Sequence, residues 1–333
     1  MKAAVFHGLG RKLCVETVPD PEPGPGEVVV KVGRCGICGS DLHMTEDPMF
    51  GIPPGAVLGH EFAGEVAAVG LGVERLQVGD RVSVPPIKGC GHCATCLAGE
   101  PAWCLEMSLI GGGYGQYALA LERQCVRLPG SASLADGALI EPLAVALHGV
   151  MKSGLQPGDK VVILGAGPIG LATAFWVRRM GAGAVVITDL ERFQEERAMT
   201  MGATAFVAGD EDHVVQADRI LGGKADIVFE CVGVPGMIAQ SVEHVRVHGT
   251  VLVQGLCTRP DSFIPFKALS KEARIQFAAF FKTQEYEASL DALSAGAVEP
   301  RALITDTITL DQLPDTFEAL RKRTHQCKVM VAP

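Results

Sequence analysis

Apolar positions change rhythm along this chain. In the first half, GEVVVKVGRCG, GHEFAGEVAAVG and GDRVSVPP are short apolar or alternating runs bounded by Gly, Asp and Pro, the pattern of strands in a small twisted barrel with functional loops. The stretch PDPEPGPGE, 19–27, leads straight into one of these runs and reads as a rigid surface turn. From about residue 155, strand-like and helical segments alternate: KVVILG, PIGLATAFWVRRMGA, AVVITD, ERFQEERAMTMGA, then DIVFECVG and GTVLVQG. These strand candidates are continuously apolar, as parallel strands covered by helices on both faces must be, so a doubly wound α/β domain is expected. After about residue 283 come a helical stretch, YEASLDALSAG, then LITDTITLDQLPDTFEALRKR and a short apolar end, KVMVAP. That tail is expected to return to the earlier sheet, giving the first domain both ends of the chain. There is no internal repeat and no low-complexity segment.

Composition adds limits. At 333 residues, two domains are the starting expectation. Hydrophobic residues at 48% and charged residues at 20% allow large cores. The formal net charge of −9 argues against a nucleic-acid or anionic-membrane partner, which would select a basic surface. The opening MKAAVFHGLGRK has no sustained apolar core, and no later apolar run reaches the roughly 18 residues of a membrane helix, so a soluble, cytoplasmic protein is expected. Eleven cysteines in so long a chain, unevenly clustered, point to metal rather than to disulfides.

Three clusters carry candidate chemistry. In VVILGAGPIG, Gly165, Gly167 and Gly170 form G-x-G-x-x-G around Pro168 and Ile169, at a strand end and helix start suited to a dinucleotide pyrophosphate. Asp189 ends the next apolar strand, where a carboxylate binds ribose hydroxyls and repels a 2′-phosphate, so NAD is favoured over NADP. Arg192 tempers that preference, although a solvated first-turn residue is its simpler reading. Val232, Gly233 and Leu256 follow later strands at the carboxyl ends where open sheets bind ligands. In GCGHCATCLAGEPAWC, Cys90, Cys93, Cys96 and Cys104 can wrap one tetrahedral Zn²⁺ with no open position, a structural site; an iron–sulfur cluster fits the spacing less well. His92, within that lobe, reads as a turn residue. In CGICGSDLH, Cys35 and Cys38 form a C-x-x-C that fits either a redox pair or half a metal clamp. With His60, Glu61 and the apolar-embedded Glu141, Cys38 can supply the mixed S, N and O ligands of a catalytic zinc.

Taken in order, CGICGSDLH, GHEFAGEV, the four-cysteine lobe, EPLAVALHG and VVILGAGPIG resemble the zinc-dependent medium-chain dehydrogenases, over nearly the whole chain. The resemblance implies an α/β chain: a β-rich GroES-like barrel as the catalytic domain, 1–145 and 283–333, with a structural-zinc lobe at about 88–105, and a Rossmann doubly wound parallel sheet for NAD over 146–282. It implies that Cys38 and His60 bind the catalytic zinc, with Glu61 and Glu141 ligating it or exchanging with water. Glu141 stands where other members place a cysteine, which brings the chain nearer the polyol and threonine dehydrogenases. Asp41 would orient His60, and Ser40 and His43 would relay the proton released as hydride passes to nicotinamide. Cys35 has no counterpart among the ligands and reads as a small buried residue. Gly39 replaces a phosphate-gripping arginine of some members. Phe50, Pro86 and Tyr114 are equally pocket or packing residues, and His148 reads as a core histidine. The implied activity is NAD-dependent oxidation of a secondary alcohol or polyol by a homodimer or homotetramer. The alternatives are an L-threonine or sugar dehydrogenase on the same scaffold, and a nonenzymatic zinc- and NAD-binding redox sensor.

Overall fold

A computed structural model describes residues 1–209, 212–322 and 324–333, which fall into two compact units. The first comprises Met1–Glu141, Lys282–Ala297 and Ile304–Pro333; the second comprises Pro142–Phe281 and Val298–Leu303.

The first unit is built on a seven-stranded sheet. Its spine is Glu27–Gly36, whose alternating side chains bury Val28, Val30 and Val32 and leave Lys31 exposed. Along one side it pairs antiparallel with Glu61–Val69, which carries the sheet on to Arg81–Val84. Two register shifts, between Val29 and Val30 and between Val32 and Arg34, mark bulges that bend the spine toward a barrel. Its other partners are Tyr117–Leu121 and the C-terminal strand Lys328–Ala332, with Met330 opposite Gly36 and Val331 opposite Cys35. The apolar tail therefore returns to the first sheet, as its composition predicts. Phe62, Val66, Val82, Val84, Tyr114 and Phe317 fill the core. A hairpin of Lys2–Val5 and Cys14–Thr17 flanks the unit's sheet.

The second unit holds a six-stranded parallel sheet in the order Ala205–Ala208, Ala184–Asp189, Lys160–Leu164, Ala225–Glu230, Val245–Val253, Arg274–Phe277. In chain order this is 3-2-1-4-5-6, the Rossmann arrangement, with its reversal beside Lys160–Leu164. The strands bury Val162, Leu164, Val186, Val228 and Val251 on one face and Val161, Ile163, Val185, Ile187 and Phe229 on the other, which explains their unbroken apolar character.

One helix departs from expectation. Leu134–Ser153 is long and apolar enough to cross a membrane, whereas the sequence reading finds no such segment. Most of that stretch is buried within the protein, with Leu139, Ile140, Leu143 and Ala144 inaccessible to solvent, which accounts for its apolar character as core packing.

Candidate active site

Local chemistry shapes the CGICGSDLH turn. Cys38 stands in extended conformation at the N-terminus of the short helix Gly39–Met44, and its N–H donates to Asp41 Oδ2 at 3.2 Å. Asp41 is fully buried and accepts a second bond from Tyr114 Oη at 2.6 Å. Its Oδ1 lies 3.0 Å from His60 Nδ1. Burial opposes the Asp41 charge, yet His60, Tyr114 and the Cys38 N–H outweigh it and its pKa is lowered. Burial works against a charged His60, yet Asp41 and Cys38 outweigh it and raise its pKa well above the usual value, so Asp41 holds the Nδ1 proton and Nε2 becomes a ligand atom once a bound cation displaces its proton. Nε2 is 3.4 Å from Ser40 Oγ, which itself donates to Cys38 Sγ at 3.1 Å.

Glu61 begins the strand Glu61–Val69 and is fully buried. Lys328, equally buried, lies 2.7 Å from both carboxylate oxygens, donating to Oε1 and to Ile37 O at 3.1 Å. Oε2 shares the Lys328 charge but accepts no hydrogen bond among the described residues. One ammonium serves both oxygens of this buried carboxylate, which leaves lone pairs on Oε2 for a further cation. Cys38 Sγ, a His60 ring nitrogen and a Glu61 oxygen all lie within 4.8 Å of one another, so this S, N and O set fits a zinc ion. Glu141 stands outside that trio, but it feels their charges. Burial, opposed by His60 and reinforced by Glu61, pushes its carboxyl up to about 7. His43 lies three residues after Ser40 on the same helix, hence on the same face.

The cysteine lobe closes on itself. The sulfurs of Cys90, Cys93, Cys96 and Cys104 are all within 4.8 Å of one another, with Cys90 and Cys96 at 3.9 Å. That separation suits the edge of a tetrahedron built on zinc–sulfur bonds of about 2.3 Å. Backbone N–H groups of Cys90 and Glu106 point at Cys104 Sγ, and that of Cys93 at Cys90 Sγ, each at 3.4 Å, the donors thiolates require. His92 is exposed, its Nδ1 3.2 Å from Cys90 O, as a turn residue would be.

In the second unit each glycine of the phosphate turn has its own reason. Gly165 has φ +97°, and a Cβ there would meet Val232 Cγ2 at 2.8 Å. A Cβ on Gly170 would fall 1.9 Å from Gly165 O, so strand and helix meet there without room for a side chain. At Gly167, the N-cap of Pro168–Arg179, a Cβ would meet nothing within 4 Å, which leaves open space in front of the helix N-terminus that Pro168 and Ile169 begin. Asp189 accepts from Ala166 N–H at 2.7 Å and Glu191 N–H at 3.1 Å, so its carboxylate also ties two loops together. Arg192 is exposed and paired with Glu195 at 2.7 Å, in keeping with a solvated first-turn residue.

Two site residues escape the sequence reading. Lys328 is one; its signal is a lone lysine opening an otherwise apolar terminal strand. Glu230 is the other, an acid closing the apolar run DIVFE. Its Oε1 accepts from Val232 N–H at 2.6 Å and Gly233 N–H at 2.9 Å, while its carbonyl accepts from Gln254 and Gly255. This one residue holds the loops bearing Val232, Gly233 and Leu256, and a Cβ on Gly233 would come within 2.6 Å of the Leu256 backbone. Tyr114 is a packing and orienting residue: it is fully buried, edge-on to Phe317 with centroids 6.2 Å apart. Pro86 is buried, and Phe50 partly so. Cys35 is fully buried and, among the described residues, absent from the ligand groups, and His148 is buried on its helix.

Comparison with known proteins adds independent findings. Residues 24–130 match the alcohol dehydrogenase GroES-like domain, and residues 168–295 match the zinc-binding dehydrogenase family. The chain is 33% identical to sorbitol dehydrogenase of Bacillus subtilis (strain 168), over 100% of this chain and 97% of that protein. It is likewise 33% identical to (R,R)-butanediol dehydrogenase of the same organism, over the full length of both. Among solved structures, a zinc-binding dehydrogenase from Sinorhizobium meliloti 1021 bound to NADP superposes with a TM-score of 0.90 at 34% identity, covering 100% of this chain and 99% of that one.

Proposed function

The chain belongs to the zinc-dependent medium-chain dehydrogenases, and on that premise we propose that this oxidoreductase converts a secondary alcohol or polyol to a ketone with NAD as hydride acceptor. The observation that carries the reading is the gathering of Cys38 Sγ, a His60 ring nitrogen and a buried Glu61 oxygen within 4.8 Å of one another. Cys38, His60 and Glu61 would hold the zinc, which supplies Lewis-acid polarisation of the substrate oxygen, while the nicotinamide supplies the hydride acceptor. Asp41 fixes the His60 tautomer, and Lys328 offsets the Glu61 charge so that the trio does not carry two uncompensated anions. Ser40 lies against the ligand set and can accept the substrate hydroxyl proton and pass it on. His43 on the same helix face carries that proton outward, a role suited to imidazole near neutral pH. Glu141, held near neutral pH in its titration, is a spare carboxylate for exchange with Glu61.

In this reading the first unit bears substrate and catalytic zinc, the cysteine lobe bears a structural zinc, and the second unit bears the dinucleotide on Gly165, Gly167 and Gly170. The Asp189 carboxylate and the Arg192–Glu195 pairing favour NAD; the NADP of the Sinorhizobium relative makes the opposite preference the one to test against. A homo-oligomer is supported by the edge strand Arg274–Phe277, which pairs on one side only among the described residues and exposes Phe277, with Phe266 and Leu269 also exposed in the segment leading into it.

The test is NADH and NADPH formation by zinc-loaded protein over sorbitol, xylitol, 2,3-butanediol, L-threonine, glucose and simple alcohols. Turnover of polyols or diols, lost on chelation and in Cys38→Ala while NADH binding persists, is expected. Turnover of L-threonine or glucose alone would replace the substrate class, and full activity in Cys38→Ala would remove the catalytic-zinc assignment.

A further inference from the structure

The N-terminal hairpin gathers metal-ligating side chains that the reaction does not use. Strand Cys14–Thr17 places Cys14 and Glu16 two residues apart, hence on the same side. Its register pairs Cys14 with Val5 and Glu16 with Ala3, and His7 follows two residues after Val5. The chain thus turns His7 back over the Cys14 and Glu16 side chains. His7 Nε2 lies 2.5 Å from Glu16 Oε1, and Cys14 Sγ, a His7 ring nitrogen and a Glu16 oxygen are all within 4.8 Å of one another. Cys14 is exposed, unlike the other cysteines, and among the described residues its thiol makes a long contact of 3.7 Å with Lys12 O.

We infer that His7, Cys14 and Glu16 form a third site for a zinc-type divalent ion, separate from the cysteine lobe and from Cys38, His60 and Glu61. Thiolate, imidazole and carboxylate together are the donor set of a borderline-soft cation, and the presence of sulfur and nitrogen excludes magnesium and calcium as its natural occupants. Three protein donors leave a fourth position for water, and the half-exposed ligands make this site weaker and more exchangeable than the enclosed four-thiolate lobe. Binding displaces the Cys14 proton to solvent and replaces the His7–Glu16 contact with two metal bonds. Because His7 and Cys14 bracket the intervening loop, the ion would close that loop as a staple.

The experiment uses the full chain carrying no polyhistidine tag, stripped by chelator and re-equilibrated with Zn²⁺, or with Co²⁺ as a spectroscopic probe. Native mass spectrometry of the wild type should count one more zinc than His7→Ala, Cys14→Ser or Glu16→Gln. Dehydrogenase turnover should be the same in all four, since none of these residues belongs to the catalytic set. Iodoacetamide labelling of Cys14 should slow at least tenfold on adding zinc in the wild type and stay unchanged in His7→Ala. Cobalt loading should give a thiolate charge-transfer band in the wild type in excess of that of Cys14→Ser. Equal zinc counts in wild type and variants, or a labelling rate indifferent to zinc, would overturn the assignment, whatever the outcome of the substrate assay.

Discussion

Lysine 328 gives the sharpest test of how the candidate active site is held together. Lys328→Met keeps the aliphatic stem and removes the ammonium that sits 2.7 Å from Glu61 and 3.1 Å from Ile37 O. Both partners of the ion pair are essentially inaccessible to solvent, so screening by water does not dilute the interaction. At an effective dielectric of about 20, the gross attraction at this distance is about 6 kcal/mol. Part of it is returned because the ammonium no longer has to be desolvated, and breaking such a pair from one side leaves a net loss of about 3–5 kcal/mol. The double variant Glu61→Gln/Lys328→Met removes both charges and should lose far less, about 1–2 kcal/mol, since no orphaned charge remains. The assay is amide hydrogen exchange of strands Glu61–Val69 and Lys328–Ala332 in chelated protein, which reports the opening free energy of this sheet alone. A loss of 3–5 kcal/mol appears as exchange about 150- to 5,000-fold faster. In zinc-loaded protein the defect should shrink, because a cation beside Glu61 takes over the neutralising role. A single variant within about 1 kcal/mol of wild type without metal, or a double variant as damaged as the single, would refute the argument that Lys328 and Glu61 depend on each other.

Two further outcomes are expected. Burial, aided by the nearby His213, drives His244 down to about 3, and its Nε2 lies 3.0 Å from His213 Nδ1. With the unfolded value near 6.5, the unfolded chain binds the extra proton, so stability is unaffected above about pH 7 and falls by about 1.4 kcal/mol per pH unit from about 6.5 toward 3. His244→Gln should flatten that slope in thermal unfolding between about pH 6 and 4, and an unchanged slope would show that His244 is not the group responsible. In the glycine turn, Gly170→Ala should disrupt the second unit through its 1.9 Å collision with Gly165 O. Gly167→Ala, free of such contact, should keep the wild-type melting temperature and lose NADH affinity by fluorescence titration, since the added methyl occupies the space before the helix. Equal NADH affinity in Gly167→Ala and wild type would move the pyrophosphate elsewhere.

What could be read from the chain in advance was whatever is encoded within about thirty residues. The unbroken apolar runs announce a buried parallel sheet because both faces of each strand are covered, and the cysteine lobe and G-x-G-x-x-G turn act through neighbours along the chain. Lys328 lies 267 residues from Glu61, and Tyr114 lies 73 from Asp41, so no local pattern links them; only sheet register brings each pair together. The two candidate glutamates could not be ranked from sequence, because the difference lies in which carboxylate stands beside Cys38 and His60. Helix Leu134–Ser153 mimics a membrane span for a related reason: composition records that its surroundings are apolar, and not whether those surroundings are lipid or protein. The opening residues, weighed only as a possible leader, form a hairpin whose chemistry depends on a turn returning His7 to Cys14 and Glu16.

The place of the last strand also governs the order in which the molecule can be made. Lys328–Ala332 lies between Glu27–Gly36 and Ile304–Thr309 in the sheet, so Glu27–Gly36 must wait for a strand about three hundred residues further along the chain before that sheet closes. Nearly all of the second unit has by then emerged and can fold around its own parallel sheet. Throughout that interval Glu61 has no counter-charge. A chain cut just before Lys328 would therefore strand Glu27–Gly36 without this partner, while leaving the dinucleotide fold able to form.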